Sequence, residues 1–214
     1  MAAIAHPRLP VVRDAVGIGV ATGAFGLSYG AVATAAGLSV VQTCALSVLM
    51  FTGASQFALV GVVGAGGTVL AGALTALLLG SRNALYGLRL APLLRVRGAR
   101  RAAAAQLVID ESTAMALTRG RPGFWATGVA VFVCWNAGTV VGALGGAALA
   151  DPRALGLDAA GPAAFVALLA PRLDGRAARR LAVVAGIVAL LAVPVTPTGV
   201  PVLLAGVVAL AVRR

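Results

Sequence analysis

The sequence predicts an all-α polytopic membrane protein with about six or seven spans, one of them interrupted or re-entrant near residues 50–57. Hydrophobic residues make up 60% of the 214-residue chain and charged residues only 11%, whereas soluble domains carry roughly 25% charged residues. Several uncharged stretches reach the roughly 18 residues that a helix needs to cross the hydrocarbon core. Aromatic residues amount to 5%, too few for the girdles of a barrel. We therefore expect residues 1–214 to form a single transmembrane domain in a lipid bilayer.

The basic residues predict the orientation of the chain. They give a formal net charge of +11, which on a soluble protein would indicate nucleic-acid binding. Here they cluster at the ends of apolar runs, as expected for cytoplasmic loops under the positive-inside rule. We therefore predict no nucleic-acid partner, a location in the cytoplasmic (inner) membrane and both termini in the cytoplasm. Residues 1–14 are then a cytoplasmic tail, and residues 95–122 a cytoplasmic-side segment between two halves.

Apolar runs predict membrane-embedded elements at residues 15–36, 38–66, 67–94, 123–149, 158–171, 181–194 and 198–212. In the first, small residues recur at alternating spacings of four and three, and so share one helix face: Gly19, Gly23, Gly26, Gly30, Ala33 and Gly37. Small residues let the backbones of membrane helices approach closely. We expect close helix packing here and at two similar series: Gly72, Ala76, Gly80 and Ala84, and Gly138, Gly142 and Gly145.

The second segment, residues 38–66, is predicted to enter and leave the membrane on the outer side as two half-helices. If it crossed once, the arginine-rich run at residues 95–101 would lie outside, against the positive-inside rule. Its centre, "TGASQF", is polar and contains glycine. Irregular backbone at membrane depth occurs only where it is buried in protein or lines a cavity. Four residues of this centre are therefore candidate substrate-binding residues: Thr52, Gly53, Ser55 and Gln56.

The third segment places Arg82, Tyr86 and Arg89 on one helix face. An arginine within the bilayer normally faces the protein interior, where it is paired or serves a polar substrate. Arg89 is close enough to the helix end for its head group to reach the interface. Arg82 is more than three turns from Arg95, so it either binds an anionic group or forms a structural ion pair. Arg82 and Tyr86 are both candidate substrate-binding residues.

Asp110 and Glu111 form the only adjacent pair of carboxylates in the sequence. They lie in a helix-prone stretch at residues 102–118 that arginines flank, which predicts an interfacial or re-entrant helix on the cytoplasmic side. Gln106, Asp110 and Thr113 would share one face of it. Carboxylates among apolar residues suit proton transfer, so Asp110 and Glu111 are candidate proton-coupling residues. The alternatives are pairing with Arg82 and a solvated helix face.

An echo of the polar break indicates a possible inverted repeat. Residues 52–56 in the first half are matched by "CWNAGT", residues 134–139, in the second. Many transporters consist of inverted repeats with interrupted helices at corresponding positions. Asn136 is therefore a further candidate substrate-binding residue. The late loop "PVTPTGVP" is either a tight extracellular connection or a second broken helix.

Enzymatic chemistry is not expected. "GLSYG" in the first segment fits the G-x-S-x-G pattern of serine hydrolases, but a nucleophilic serine needs a base, and the only histidine, His6, lies in the polar tail. Cys44 and Cys134 lack metal-ligand spacing. We predict no catalytic residue, no cofactor and no metal.

Taken in order, these motifs resemble a known family. "FGLSYGAVA", "TGASQFA", "LYGLRLAP", the acidic pair in "IDES" and W-x-x-G-T-x-x-G from Trp135 to Gly142 are similar to the AzlC family of branched-chain amino acid exporters. The resemblance implies a permease that exports valine, leucine and isoleucine with a small AzlD-like membrane subunit. The family's Asn-x-Arg-His run here reads Gly80, Arg82 and Asn83 at its Asn, Arg and His positions. If that histidine moves protons, this chain must use another group or a different coupling.

The predicted function is therefore a secondary transporter that exports branched-chain amino acids, coupled to the proton gradient. Exposed half-helix N-termini and Arg82 are expected to bind the substrate carboxylate. Backbone carbonyls at residues 52–56 are expected to bind its ammonium group. The alternative is a channel or a membrane scaffold subunit for another small solute.

Overall fold

A computed structural model describes residues 8–148, 166, 169, 170, 173–197 and 199–211. The helices in these residues are α1 (Arg8–Ala35), α2 (Val40–Leu49), α3 (Gly53–Gly64), α4 (Val69–Leu94), α5 (Ala99–Gln106), α6 (Asp110–Ala148), α7 (Arg176–Ala192) and α8 (Val200–Ala211). Three of them, α1, α4 and α6, are long and apolar enough to cross a membrane. The predicted all-α polytopic class is confirmed. The predicted span at residues 158–171 lies almost entirely outside the described residues, and the total of six or seven spans stays a prediction.

Glycines set the distance between α1 and α6. A Cβ atom at Gly19 would lie 2.9 Å from the Ala130 carbonyl oxygen, and one at Gly30 would overlap the Thr139 carbonyl. The contact positions advance together along both helices, so the helices run parallel. Close backbone contact between small residues stabilises helix pairs that the hydrophobic effect cannot drive together in lipid. The stripes predicted on these helices are confirmed except at Gly37 and Gly145, which have no such neighbour within 4 Å.

α2 and α3 form a hairpin, called here the first hairpin. α2 begins at a capping box formed by Ser39 and Gln42, and helical geometry is lost at residues 50–52. α3 then runs back towards the start of α2, since a Cβ atom at Gly64 would lie 3.1 Å from the Ala36 Cβ. Both ends of the hairpin thus lie at one end of the bundle, as predicted for an interrupted, re-entrant helix.

α5 and the start of α6 form a second hairpin. Residues 107–109 are non-helical, and the backbone turns again at Gly120, where φ is 67°. Gly120 divides α6 into a first segment, residues 110–119, and a second segment, residues 121–148. Pro122 favours this division because a proline near the start of a helix gives up only an N–H that would have no helical partner.

The second hairpin opens at the arginine-rich end of the bundle. Arg119 forms an ion pair with Asp14 near the start of α1, with the nitrogen and oxygen 3.2 Å apart. Arg100 and Arg121 line one surface depression. Of the two alternatives predicted for residues 102–118, an interfacial or a re-entrant helix, this hairpin agrees with the re-entrant one. The prediction that Gln106, Asp110 and Thr113 share one helix face is wrong, because the break at residues 107–109 separates Gln106 from the other two.

The second predicted break is also wrong. Residues 134–139 lie within the uninterrupted second segment of α6, where the Asn136 side chain donates to the Phe132 carbonyl at 2.8 Å. Near the C-terminus, α7 packs against α8, and α8 packs against α4. Just before α8, a Cβ atom at Gly199 would lie 2.9 Å from a Val62 side-chain carbon of α3. The described part of the proline-rich loop therefore connects two helices at the end of the bundle opposite the arginines.

Candidate functional site

Gln56 closes the break between α2 and α3. Its side chain is fully buried, and Nε2 donates to the carbonyl oxygens of Met50 at 2.7 Å, Ser47 at 3.3 Å and Leu46 at 3.4 Å. The last carbonyls of a helix lack partners within it, and the bilayer core offers no water instead. The amide replaces the hydrogen bonds that α2 loses where it ends, which explains a glutamine at this depth.

Trp135 of α6 covers the tip of the first hairpin. Its Nε1 donates to Gln56 Oε1 at 3.0 Å, and its ring stacks on Tyr29 with centroids 6.2 Å apart. A Cβ atom at Gly53 would lie 2.7 Å from Trp135 Cη2. Glycine at position 53 is therefore what allows the indole to lie against the first turn of α3, and the hydrogen bond fixes the orientation of the ring.

Arg82 and Asp110 form an ion pair beside this tip. The nitrogen and oxygen atoms are 2.7 Å apart, and each side chain is 27% exposed. Tyr86 Oη donates to the other carboxylate oxygen of Asp110 at 2.8 Å. Of the two interpretations of Arg82, the structure shows the ion pair. The guanidinium still has a buried Nε without a hydrogen-bond partner, so the pair does not use all of its donors.

The tip of the second hairpin is held by its own serine and by the first hairpin. Ser112 Oγ donates to the Leu107 carbonyl at 2.6 Å and accepts from the Ile109 N–H at 3.1 Å. Gln106 Nε2 donates to the Val48 carbonyl at 2.6 Å. The two tips therefore meet within the bundle, with the ion pair next to them.

A cavity of about 100 Å³, called here the crevice, lies between the two tips. One water molecule needs roughly 10–15 Å³, so the crevice holds several waters or part of a small solute. One wall is mainly aromatic and aliphatic, and the other carries one arginine and two carboxylates. The lining residues are Thr22, Phe25, Phe51, Thr52, Gly53, Ala54, Phe57, Arg82, Ile109, Asp110, Glu111, Val131 and Trp135.

The structure brings five of the predicted site residues to the crevice: Thr52, Gly53, Arg82, Asp110 and Glu111. The other four do not line it: Ser55, Gln56, Tyr86 and Asn136. Ser55 and Gln56 are fully buried behind the first tip, and Ser55 donates to the Ala76 carbonyl of α4 at 2.8 Å. Tyr86 is connected to the crevice through its hydrogen bond to Asp110.

The backbone carbonyls predicted to bind an ammonium group have other partners. Residues 53–56 are helical, and the Thr52 carbonyl accepts the Gln56 N–H at 3.1 Å. Since helix carbonyls point away from the N-terminus, α3 presents N–H groups to the crevice. The acceptors on the crevice wall are instead the carboxylates of Asp110 and Glu111.

Sequence reasoning missed the apolar wall. Phe25, Phe57 and Trp135 come from three different helices, and a single aromatic residue in an apolar segment is indistinguishable from one that faces lipid or core. Gly53 carried an indirect signal, because a glycine at a break often marks a close approach of another group. Among the described residues no cluster of His, Cys, Asp and Glu is suited to hold a metal.

Together the fold and the crevice define a polytopic membrane protein with a polar site enclosed by interrupted helices, an arrangement found in secondary transporters. The family model described as AzlC protein matches residues 17–149, more than half of the chain, and the chain therefore belongs to the AzlC family. The family is transport-related and generally associated with branched-chain amino acids. No curated protein and no solved structure matches the chain.

Proposed function

We propose that this protein is a secondary transporter that exports branched-chain amino acids across the cytoplasmic membrane, with the crevice as its substrate site. Membership of the AzlC family supports the class of substrate. The observation that carries the proposal is the Arg82–Asp110 ion pair on the wall of a partly apolar crevice. These are the groups that a zwitterion with a hydrocarbon side chain requires.

The ion pair offers complementary charges to both ends of an amino acid. Arg82 suits the carboxylate, and its Nε–H, which has no hydrogen-bond partner in the protein, leaves a donor for it. Asp110 and Glu111 suit the ammonium group. When a zwitterion binds, the Arg82–Asp110 ion pair is replaced by two ion pairs between the protein and the solute. Charge therefore stays balanced during binding and release. This keeps the cost of removing charges from water low.

The opposite wall suits a branched side chain. Phe25, Phe57, Val131 and Trp135 line it, and burial of apolar surface there favours valine, leucine or isoleucine over alanine. One missing methylene group in such a pocket changes affinity by about 1–3 kcal/mol. Selectivity is therefore modest, at about tenfold to two hundredfold.

The buried predicted residues support the site without touching the solute. Gln56 holds the break and orients Trp135, Ser55 ties α3 to α4, and Tyr86 orients Asp110. Thr52 and Gly53 form the crevice wall itself. Asn136 follows Trp135 in sequence but lies away from the crevice, and we assign it no substrate contact.

Proton coupling belongs to the same proposal. Asp110 and Glu111 are the carboxylates of the crevice, and proton uptake by either would weaken its hold on the ammonium group. The remaining elements of the proposal are an AzlD-like small subunit and an arginine-rich end that faces the cytoplasm under the positive-inside rule.

Efflux of labelled valine from proteoliposomes tests the proposal directly. The chain would be reconstituted with its small partner subunit, and the proteoliposomes would be loaded with valine and assayed with and without a pH gradient. We expect valine efflux above that of protein-free liposomes. The pH gradient should accelerate this efflux, and excess leucine should reduce it more than excess alanine does. Valine retention equal to that of empty liposomes would reject the proposal, and efflux independent of leucine would favour a channel.

A further inference from the structure

The two hairpins occupy equivalent positions along the chain. α1, α2 and α3 are followed in the same order by α4, α5 and the first segment of α6. α2 ends at Leu49 and α5 at Gln106, and the next helices begin at Gly53 and Asp110. The ends of α2 and α5 are 57 residues apart in sequence, and so are the starts of α3 and α6. The other helix ends of the two sets agree with this shift to within four residues.

Individual residues follow the same shift. The dipeptide Tyr29–Gly30 recurs as Tyr86–Gly87, and Ser55 recurs as Ser112. Each tyrosine contacts the helix that follows the break in its own set of helices. Tyr29 packs on Phe57 of α3, with ring centroids 5.8 Å apart, and Tyr86 donates a hydrogen bond to Asp110 of α6. The equivalence therefore extends from helix order to side-chain contacts.

The two sets run through the bundle in opposite directions. The first hairpin opens at the end of the bundle opposite the arginines, called here the far end, where Gly64 returns to Ala36. The second opens at the arginine-rich end, where Arg119 meets Asp14. Their tips meet between these ends through the hydrogen bond of Gln106 to Val48.

We infer that residues 8–64 and 69–119 are two inverted copies of one unit, and that the crevice has two entrances, each closed by one hairpin. The inference about entrances rests on the proposed transport function. Each hairpin enters from one end of the bundle and ends at the crevice. Displacing the first opens the crevice to the far end, and displacing the second opens it to the arginine-rich end. Inverted repeats allow two such states to exchange by swapping the conformations of the copies.

Disulfide tethers on each hairpin test this inference. Both native cysteines are first replaced, as Cys44→Ala and Cys134→Ala, and Val131→Cys on the crevice wall serves as reporter. Ala36→Cys with Gly64→Cys holds the first hairpin closed. Leu107→Cys with Gly128→Cys holds the second, since a Cβ atom at Gly128 would lie 3.0 Å from the Leu107 Cβ. Both Cβ separations are within about 0.5 Å of the lower limit for natural disulfides, so a small outward shift of either helix allows the bond to form.

The readout is the reaction of the reporter with a membrane-impermeant thiol reagent in right-side-out and inverted vesicles. With the first hairpin tethered, we expect the reaction from the face at the far end to fall at least tenfold while the reaction from the arginine-rich face persists. The second tether should give the reverse, and reduction should restore both. Reaction from the same face with both tethers, or from neither face with either tether, overturns the inference.

This measurement does not depend on the solute. If the reporter follows the expected pattern while valine efflux by the wild-type protein, measured without the Val131→Cys change, is absent, the two entrances stand and the proposed substrate is wrong. If efflux is observed while the tethers leave reporter access unchanged, the transporter stands and the inverted gates are wrong.

Discussion

Each hairpin tip is a break of three residues between two helices, but the chemistry of the two tips differs. The first is neutral and is held by the amide of Gln56, which bonds three carbonyls and one indole. The second carries Asp110 and Glu111 and is held through Arg82 and Tyr86. A neutral amide satisfies donors and acceptors without introducing charge, so it suits a fully buried support. A partly exposed ion pair can exchange partners, so it suits a site.

This difference separates stability from activity. Changes at the neutral tip are expected to act mainly on folding, because they leave buried polar groups unpaired. Changes at the charged tip are expected to act mainly on solute binding. Four variants test the contrast, beginning with the largest expected effect.

Gln56→Leu should destabilise the protein most. It removes the partner of three carbonyls and of the Trp135 N–H, and each unpaired buried group costs about 1–3 kcal/mol. We expect a total loss of at least about 3 kcal/mol and a sharply reduced yield of folded protein, measured by thermal unfolding in detergent. The matched control is Gln42→Leu, which removes only the hydrogen bond from the Ser39 N–H to Gln42 Oε1 at the other end of α2 and keeps the bond to Ser39 Oγ; it should cost about 1 kcal/mol or less. Equal losses in both variants would contradict the support role.

Arg82→Gln should abolish transport while leaving most of the protein folded. The variant loses the charge that we assign to the substrate carboxylate, and we expect valine efflux to fall at least about a hundredfold, equivalent to about 2.8 kcal/mol. Arg89→Gln, on the same helix but away from the crevice, is the control and should retain efflux. Asp110→Asn should lose efflux as well. If Arg82→Gln and the wild-type protein had comparable efflux, the charged tip would not be part of the substrate site.

Trp135→Phe should have an intermediate effect that connects the two tips. The ring contacts with Tyr29 and Phe57 are kept, but Gln56 Oε1 loses its donor, at a cost of about 1–2 kcal/mol. We expect a lower unfolding temperature together with weaker selectivity for leucine over alanine, measured by competition against valine efflux. A lower unfolding temperature without any change in the selectivity for leucine over alanine would limit Trp135 to a structural role.

Gln106→Ala should have the smallest effect on stability. It removes one hydrogen bond, to the Val48 carbonyl, in a partly exposed position, which corresponds to about 1 kcal/mol or less. Because this bond joins the two tips, we expect the rate of efflux to change more than the unfolding temperature does. An unchanged rate would show that contact between the tips does not limit transport.

Much of the architecture was accessible from local sequence features. The apolar runs and the sparse charges predicted the membrane class, and the arginine positions required one segment not to cross. The polar centre at residues 50–57 predicted the first break. The second hairpin was predicted as an interfacial or re-entrant helix but the position of its break was not, because its alanine- and arginine-rich first arm, α5, gives little indication of where the backbone turns.

The sequence by itself determined the helical class, the break at residues 50–52 and the face on which α1 packs, because hydropathy, glycine spacing and charge position act over a few neighbouring residues. Only the tertiary structure decided which polar groups meet. Arg82 and Asp110 are 28 residues apart in sequence, and Gln56 and Trp135 are 79 apart. Their pairing depends on how the hairpins pack between α1, α4 and α6. A pattern of neighbouring residues does not determine contacts between residues so far apart in sequence.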